Sequence, residues 1–423
     1  MNVMNSWKDK FPKDLQEKIA EVDEMISGRL NEITEQELYN QQRVLELYRK
    51  HRVAEEDLVG STGYGYDDVG RDKLEEIFAE YFKTEDALVR PQIVSGTHAI
   101  KTCLFGVMRP GDTLYYMTGM PYDTIQEVIG IAGDNPGTFK EYDMHFEYTP
   151  LLENGEVDYE SCGKFLEEHP DVKVIALQRS RGYATRDSFT IEKIKRMIAF
   201  IKERAPKAII FVDNCYGEFS ETEEPTFFGA DLLAGSLFKN AGAGIVKGGA
   251  FIVGRKDLIA KCAAHLIAPG SGKSEGPTYA YLRDFYQGFF MAPHTTGQAI
   301  KGSIYAAALL EKLGMDVSPK WDAPRTDLVQ TITFGAREPM IKFCAAIQHN
   351  SAMNAFVDPV PSYMDGYEDE IIMASGSFTE GSTIELSSDG PLREPYCLYI
   401  QGGLSYEHVK NAITEAAFET FYK

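Results

Sequence analysis

Residues 208–219 read AIIFVDNCYGEF, and residues 231–254 read DLLAGSLFKNAGAGIVKGGAFIVG. Two short apolar runs, Ala208–Val212 and Leu232–Leu237, are bounded by turn residues and predict buried strands. A third run, Gly249–Val253, follows a glycine-rich turn and predicts another. Asp213 ends the first run and Lys239 stands just past the second, so a carboxylate and an amine arrive at neighbouring strand ends. Open α/β sheets build their ligand sites at such ends. Lys247 is a rival amine, placed immediately before the third run.

Outward from this centre, strand-like runs keep ending in polar turns. ALVRPQIVSGTHAIK predicts a strand ending at Val94, then a Ser95-Gly96-Thr97 turn and a helix starting near His98. Helix N-termini offer free backbone N–H groups to an anion, and glycine permits close approach. The same turn is also an ordinary N-cap. GDTLYYMTGMPYDTIQEV places Tyr122 at the mouth of another helix. VKVIALQRSRGYATRDSF predicts a strand and a polar loop, with a helix from about Thr190. Arg179 and Arg181 at that strand's end suit a carboxylate or phosphate, or a solvated surface. STGYGYDDVGRDKLEEIFAEYF (61–82) gives Tyr64 and Tyr66 in a glycine-rich loop before an amphipathic helix with Asp67 or Asp68 near its start. His294, Thr295 and Thr296 are expected at the mouth of a long helix.

Val-Asp-Asn, then about two dozen residues, then Ser236-x-x-Lys239 and the Gly248-Gly249-Ala250 run resemble the core of fold-type I pyridoxal-phosphate (PLP) enzymes. The whole chain resembles the aluminium-resistance, cystathionine lyase-like family, related to cystathionine β-lyase and methionine γ-lyase. That resemblance implies an α/β fold: a large domain with a mostly parallel seven-stranded sheet between helices, and a smaller C-terminal α/β domain. It implies PLP as cofactor and Lys239 as the Schiff-base lysine, with an amine whose pKa is lowered. Asp213 would pair with the pyridine nitrogen. Ser95, Gly96, Thr97 and Ser236 would serve the phosphate, and Tyr122 would stack on the ring and assist proton transfer. Cys215 would lie against the ring and His98 would stack on it or pack nearby. Tyr64 and Tyr66 correspond to a segment that reaches a partner subunit's phosphate, and Arg393 lies where such enzymes hold the substrate carboxylate. Arg181 is the other substrate-carboxylate candidate.

The implied activity is a carbon–sulfur lyase: α-proton abstraction from a cystathionine- or methionine-type amino acid, then β- or γ-elimination. Other PLP amino-acid chemistry, such as threonine-aldolase-like cleavage or a transferase reaction, is the first alternative, and a non-catalytic PLP-fold stress or binding protein the second. The implied assembly is a homodimer or homotetramer with shared sites. The expected division is a helical arm over 1–60, a PLP-binding domain over 61–300, and a bridging helix with a small domain over 301–423.

Composition narrows the partners. At 423 residues and 43% hydrophobic, the chain has ample apolar residues for a full core. A net charge of −21 disfavours nucleic acid and anionic membrane. Six cysteines stand singly at 103, 162, 215, 262, 344 and 397, without a CxxC or Cys/His cluster, so no zinc and no disulfide framework are expected. No signal-peptide pattern and no membrane-length apolar run occur, and a cytoplasmic location is expected. APGSGKSEGP (268–277) imitates a phosphate loop, but its first required glycine falls on Ile267, so ATP is not expected.

Overall fold

The computed structural model describes residues 6–184, 186–364 and 369–423. The chain folds as two compact units: Leu38–His294, and residues up to Glu37 together with Thr295–Lys423.

In the larger unit the elements run α2 (Val69–Tyr81, after the long α1, Lys13–Lys50), β1 (Asp86–Arg90), α3 (Gly96–Val107), β2 (Thr113–Tyr116), α4 (Asp123–Ile129) and β3 (His145–Tyr148). They continue α5 (Tyr159–Glu168), β4 (Val174–Gln178), α6 (Ile191–Arg204), β5 (Ile209–Asp213), β6 (Leu232–Ser236), β7 (Ala250–Gly254) and α7 (Lys256–Leu266). The seven strands form one sheet in the order β1-β7-β6-β5-β4-β2-β3. Only β7 runs against its neighbours; the four pairs from β6 to β3 are parallel. β4 and β5 are buried throughout, as parallel strands covered on both faces must be.

Alternation along the strands separates two cores. Ile210, Val212 and Leu233 face a core shared with α2, α5 and α6. Phe211, Leu232 and Ala234 face the opposite core, shared with α3 and α7. By the same alternation Asp213 and Ser236 belong to the α3 face and Gly235 to the other.

The central strands lie within a residue of their expected ends. β1 does not: it stops at Arg90 rather than Val94, because Pro91 has no N–H for the ladder, and Val94 is exposed. Helix starts follow their caps. Asp68 accepts from the Arg71 amide, Ser95 from His98 and Thr190 from Lys193.

The second unit carries an antiparallel five-stranded sheet, order β10-β11-β12-β9-β8. Its strands are β8 (Asp316–Ser318), β9 (Val329–Thr333), β10 (Ile371–Ser375), β11 (Ser387–Pro391) and β12 (Cys397–Gln401), with helices α9 (Arg337–His349) and α10 (Tyr406–Phe421). The division differs from an arm over 1–60. Leu15, Ile19, Val22 and Ile26, one face of α1, are fully buried in a core with Ile300, Ile304, Phe343, Val409 and Ile413. Each such side chain contributes roughly 1.5–3 kcal/mol by burial, so α1 as far as Glu37 belongs to this unit. Helix α8 (Leu282–Lys312) begins well before His294, which lies in its middle with Pro293. The residues expected to cap it are therefore interior.

Candidate active site

At the carboxyl ends of β5 and β6 the sheet brings Asp213 and Ser236 to one face. Asp213 is buried, and its Oδ1 accepts from the Cys215 amide at 3.1 Å. Burial raises the Asp213 pKa, with the Cys215 amide and Lys239 opposing the rise. A protonated ring nitrogen beside it would restore the ionised carboxylate. Ser236 is fully buried and its Oγ has no hydrogen-bond partner among the described residues, although a buried hydroxyl ordinarily finds one.

Helix α3 closes the same face. A methyl group at Gly96 would stand 3.0 Å from Cys215 Sγ and 3.7 Å from the Ser236 side chain, so these three residues share one small space. In the first turn, His98 N donates to Ser95 Oγ at 3.1 Å and Ala99 N to Ser95 O at 3.0 Å. The amides of Gly96 and Thr97 are left for an anion. Thr97 Oγ1 lies 3.3 Å from both Tyr122 Oη and Thr124 Oγ1. The Tyr122 amide donates to Gln178 Oε1 at 3.1 Å, which ties the mouth of α4 to the end of β4. Burial, then Asp213 and Cys215, hold the Tyr122 phenol well above its ordinary pKa.

Lys239 follows β6 with its Nζ 4.2 Å from the centre of the Tyr216 ring. Its pKa lies above the ordinary lysine value. Burial acts downward, but Tyr216, Cys215, Asp213 and Glu218 together outweigh it. The rival Lys247 is an exposed side chain paired with Asp284 at 3.0 Å.

Other sequence candidates lie elsewhere or are already engaged. His98 Nδ1 accepts from the Val94 amide at 3.2 Å, and the ring helps line a cavity of about 460 Å³ with Lys101, Thr124 and Glu127. Burial and Lys101 lower its pKa. Tyr64 and Tyr66 are exposed and stacked on each other, centroids 5.3 Å apart, with Tyr66 Oη bonded to Glu275. Buried Arg71 holds that loop by donating to Gly65 O and Gly276 O. The 268–277 stretch is thus the loop's partner, with Gly276 N donating to Tyr64 O.

Arg179 is fully buried among Asn214 Oδ1, Gly217 O, Glu221 and Glu224. It is a brace for the turn after β5, not a free anion grip. Arg181 is buried with its guanidinium on Asp187 at 2.9 Å. Arg393, in the second unit, is half-exposed in the β11–β12 turn and pairs with Asp369 at 2.9 Å.

Three residues of this region were not singled out in the sequence. Tyr216 and Glu218 sit in the turn after Asp213, and Asn240 follows Lys239. Glu218 is fully buried with both carboxylate oxygens unpartnered among the described residues, and burial holds its pKa well above the carboxylate range. A Tyr-Gly-Glu run after a strand reads as an ordinary turn, so no local signal marked them.

The donor set fits PLP. An anion pocket at a helix N-terminus, an unpartnered buried hydroxyl, a buried carboxylate and an amine converge at one sheet end, with glycine where a side chain would intrude. The methionine gamma-lyase family profile matches residues 15–421. A Listeria monocytogenes structure, described as a candidate cystathionine beta-lyase involved in aluminium resistance, is 50% identical. It covers 96% of this chain and 100% of its own, with a TM-score of 0.93. A carbon-sulfur lyase involved in aluminium resistance from Clostridium novyi NT is 40% identical, covering 96% of each chain at a TM-score of 0.92. The uncharacterized protein YnbB of Bacillus subtilis is 51% identical over 403 residues, 95% of each chain. With match and site in agreement over nearly its whole length, the chain belongs to the methionine gamma-lyase family of fold-type I enzymes, and its cofactor is pyridoxal 5′-phosphate.

Proposed function

We propose that this protein is a carbon–sulfur lyase acting on a sulfur-containing amino acid of the cystathionine or methionine type. The observation that carries the reading is the opposition of Lys239 and Asp213 at neighbouring strand ends, beside an unpartnered Ser236 hydroxyl. When bound, the cofactor draws electron density from the α-carbon of the amino acid it holds.

The chain's residues supply the rest. The Gly96 and Thr97 amides and Ser236 Oγ would take the phosphate, and Asp213 would keep a proton on the ring nitrogen. The Lys239 amine would remove the α-proton, after which a C–S bond at the β-carbon breaks with its electrons on sulfur; for a C–S bond at the γ-carbon, a β-proton must be removed as well before the bond breaks. A proton then converts the thiolate to a thiol, and water releases an oxo acid and ammonia. Tyr122, hydrogen-bonded through Thr97, is placed to orient the ring and to carry a proton. Arg181 and Arg393 are the proposed carboxylate grips. Each already holds one aspartate, Asp187 and Asp369, which a substrate would have to displace.

The sibling structures named for carbon–sulfur lyases support this chemistry class for the chain. We further propose a homodimer or homotetramer in the cytoplasm. Exposed Tyr64, Tyr66 and Tyr279, carried on loops hydrogen-bonded to each other, support the oligomer, and the free, buried state of all six cysteines agrees with a reducing compartment.

The experiment is an absorbance scan of the purified protein supplied with PLP, then assays of thiol and oxo-acid release from L-cystathionine, L-methionine and L-threonine. A cofactor band lost in Lys239→Ala, with thiol from either sulfur substrate, is the expected result. Aldehyde from threonine without thiol would replace the lyase by an aldolase, and a band with no turnover would favour a binding protein.

A further inference from the structure

The turn that follows Asp213 is held in an unfavourable shape by more contacts than a plain connection requires. Tyr216 has φ +73° and Phe219 φ +61°, both in the left-handed region that glycine prefers, while Gly217 stands between them. Three groups hold this shape. Asn240 Nδ2 donates to Tyr216 O at 2.9 Å and to Glu218 O at 3.0 Å. Arg179 donates to Gly217 O at 3.1 Å and to Asn214 Oδ1 at 2.9 Å. Glu224 accepts from Phe219 N at 3.2 Å and from Asn214 Nδ2 at 3.0 Å. Strain of this sort persists only where surrounding structure over-determines it, and it collects at working sites.

The clamp has an address. Asn240 is the residue next to Lys239, so the same short stretch that carries the amine fixes the turn that carries the ring. The outcome is the Tyr216 ring face 4.2 Å from Lys239 Nζ, a distance at which a ring's negative face attracts an ammonium.

We propose that Tyr216 is a positioning residue for Lys239: its ring face is the resting place of the charged amine whenever that amine is not joined to the cofactor. This rests on Lys239 as the residue that carries PLP. The amine is free in that sense twice, before cofactor capture and after a substrate amine has displaced it. In the second interval it takes the α-proton and becomes charged. A ring face stabilises that cation without offering it an oxygen on which to leave the proton, so the proton stays available for return. Asp213, Cys215 and Glu218 also act electrostatically on the amine; all lie on β5 or the turn after it, and the Tyr216 ring is the group in contact with Nζ.

The test uses the full-length chain stripped of cofactor with hydroxylamine and mixed with PLP, with the capture rate followed by absorbance at pH 7–9. Capture needs the neutral amine, so weakening the cation's resting place speeds it. A cation–π contact of the usual strength corresponds to roughly 5- to 30-fold. Tyr216→Leu should capture PLP faster by that factor at pH 8, and Tyr216→Phe should stay within about twofold of the natural chain. Should Tyr216→Leu fail to fold, pentafluorophenylalanine placed at 216 keeps the ring's shape while removing its negative face, and should behave as expected for Leu. Unchanged capture in the Leu and fluorinated variants would overturn the inference, as would an equal acceleration in Tyr216→Phe, which would point to the hydroxyl. Failure of the natural chain to capture PLP in a Lys239-dependent way would instead sink the underlying reading of Lys239.

Discussion

Glu218 shows what one side chain costs when its surroundings are chosen for something else. Its carboxyl lies against β6 on the face away from Asp213, where a methyl at Gly235 would collide with it and with the Phe251 ring. Burial raises its pKa well above the ordinary value, chiefly by penalising the charged form. The folded state therefore binds this proton more tightly than the unfolded chain. The linked stability is fully present below the unfolded carboxyl's pKa and is lost as pH rises through the folded one. Glu218→Gln removes the charge without changing shape, so its stability relative to the natural chain should rise between pH 5 and pH 8, measured by urea denaturation. An unchanged difference across that range would mean that Glu218 is already paired. Gly96→Ala is the second test at this scale. The added methyl would press on Cys215 Sγ in the proposed phosphate space, and PLP affinity should fall at least tenfold by absorbance titration while the melting temperature moves little. Asp213 and Lys239 were legible because each closes an apolar run. Tyr216 and Glu218 were not, because their surroundings are made by Asn240, Gly235 and Phe251, which only the sheet brings near.

At the scale of elements, β5 and β6 with the turn between them depend on a buried guanidinium. Arg179 reaches Glu221 and Glu224 as well as the turn's own backbone. Arg179→Met would strand the fully buried Glu224 without its cation, and breaking a buried pair in this way costs about 3–5 kcal/mol. The expected loss appears in the denaturation midpoint, while PLP capture should quicken as the loosened turn lets the Tyr216 ring leave Lys239. A variant as stable as the natural chain would show that the network does not brace the turn. Sequence signals worked well here wherever they were local. Ser95 and Thr190 each cap the helix expected of them, and β4, β5 and β6 match their apolar runs within a residue. They failed where a break was hidden. Pro91 ended β1 early although apolar Ile93 and Val94 follow it, and the long α8 carried Pro293 in its interior where a boundary was expected.

Across the whole molecule, the exposed stacked tyrosines are the surface most directly tied to the proposed assembly. Tyr66→Glu adds a charge beside Glu275, its present hydrogen-bond partner. If that loop meets a second copy, sedimentation should show a smaller species and PLP affinity should drop with it; a mass unchanged from the natural oligomer would place the interface elsewhere. The second unit is built from both ends of the chain, which no local pattern announces: the stripe Leu15, Ile19, Val22 and Ile26 was legible as an apolar face, but its partners lie nearly three hundred residues or more downstream. That arrangement has a consequence for biosynthesis. Ribosomes add about 5–20 residues per second, so the stripe leaves the tunnel roughly 20–80 s before Val409 and Ile413, which complete its core, have been made. Throughout that interval its core is incomplete, leaving apolar surface on a growing chain and a natural landing place for a holdase.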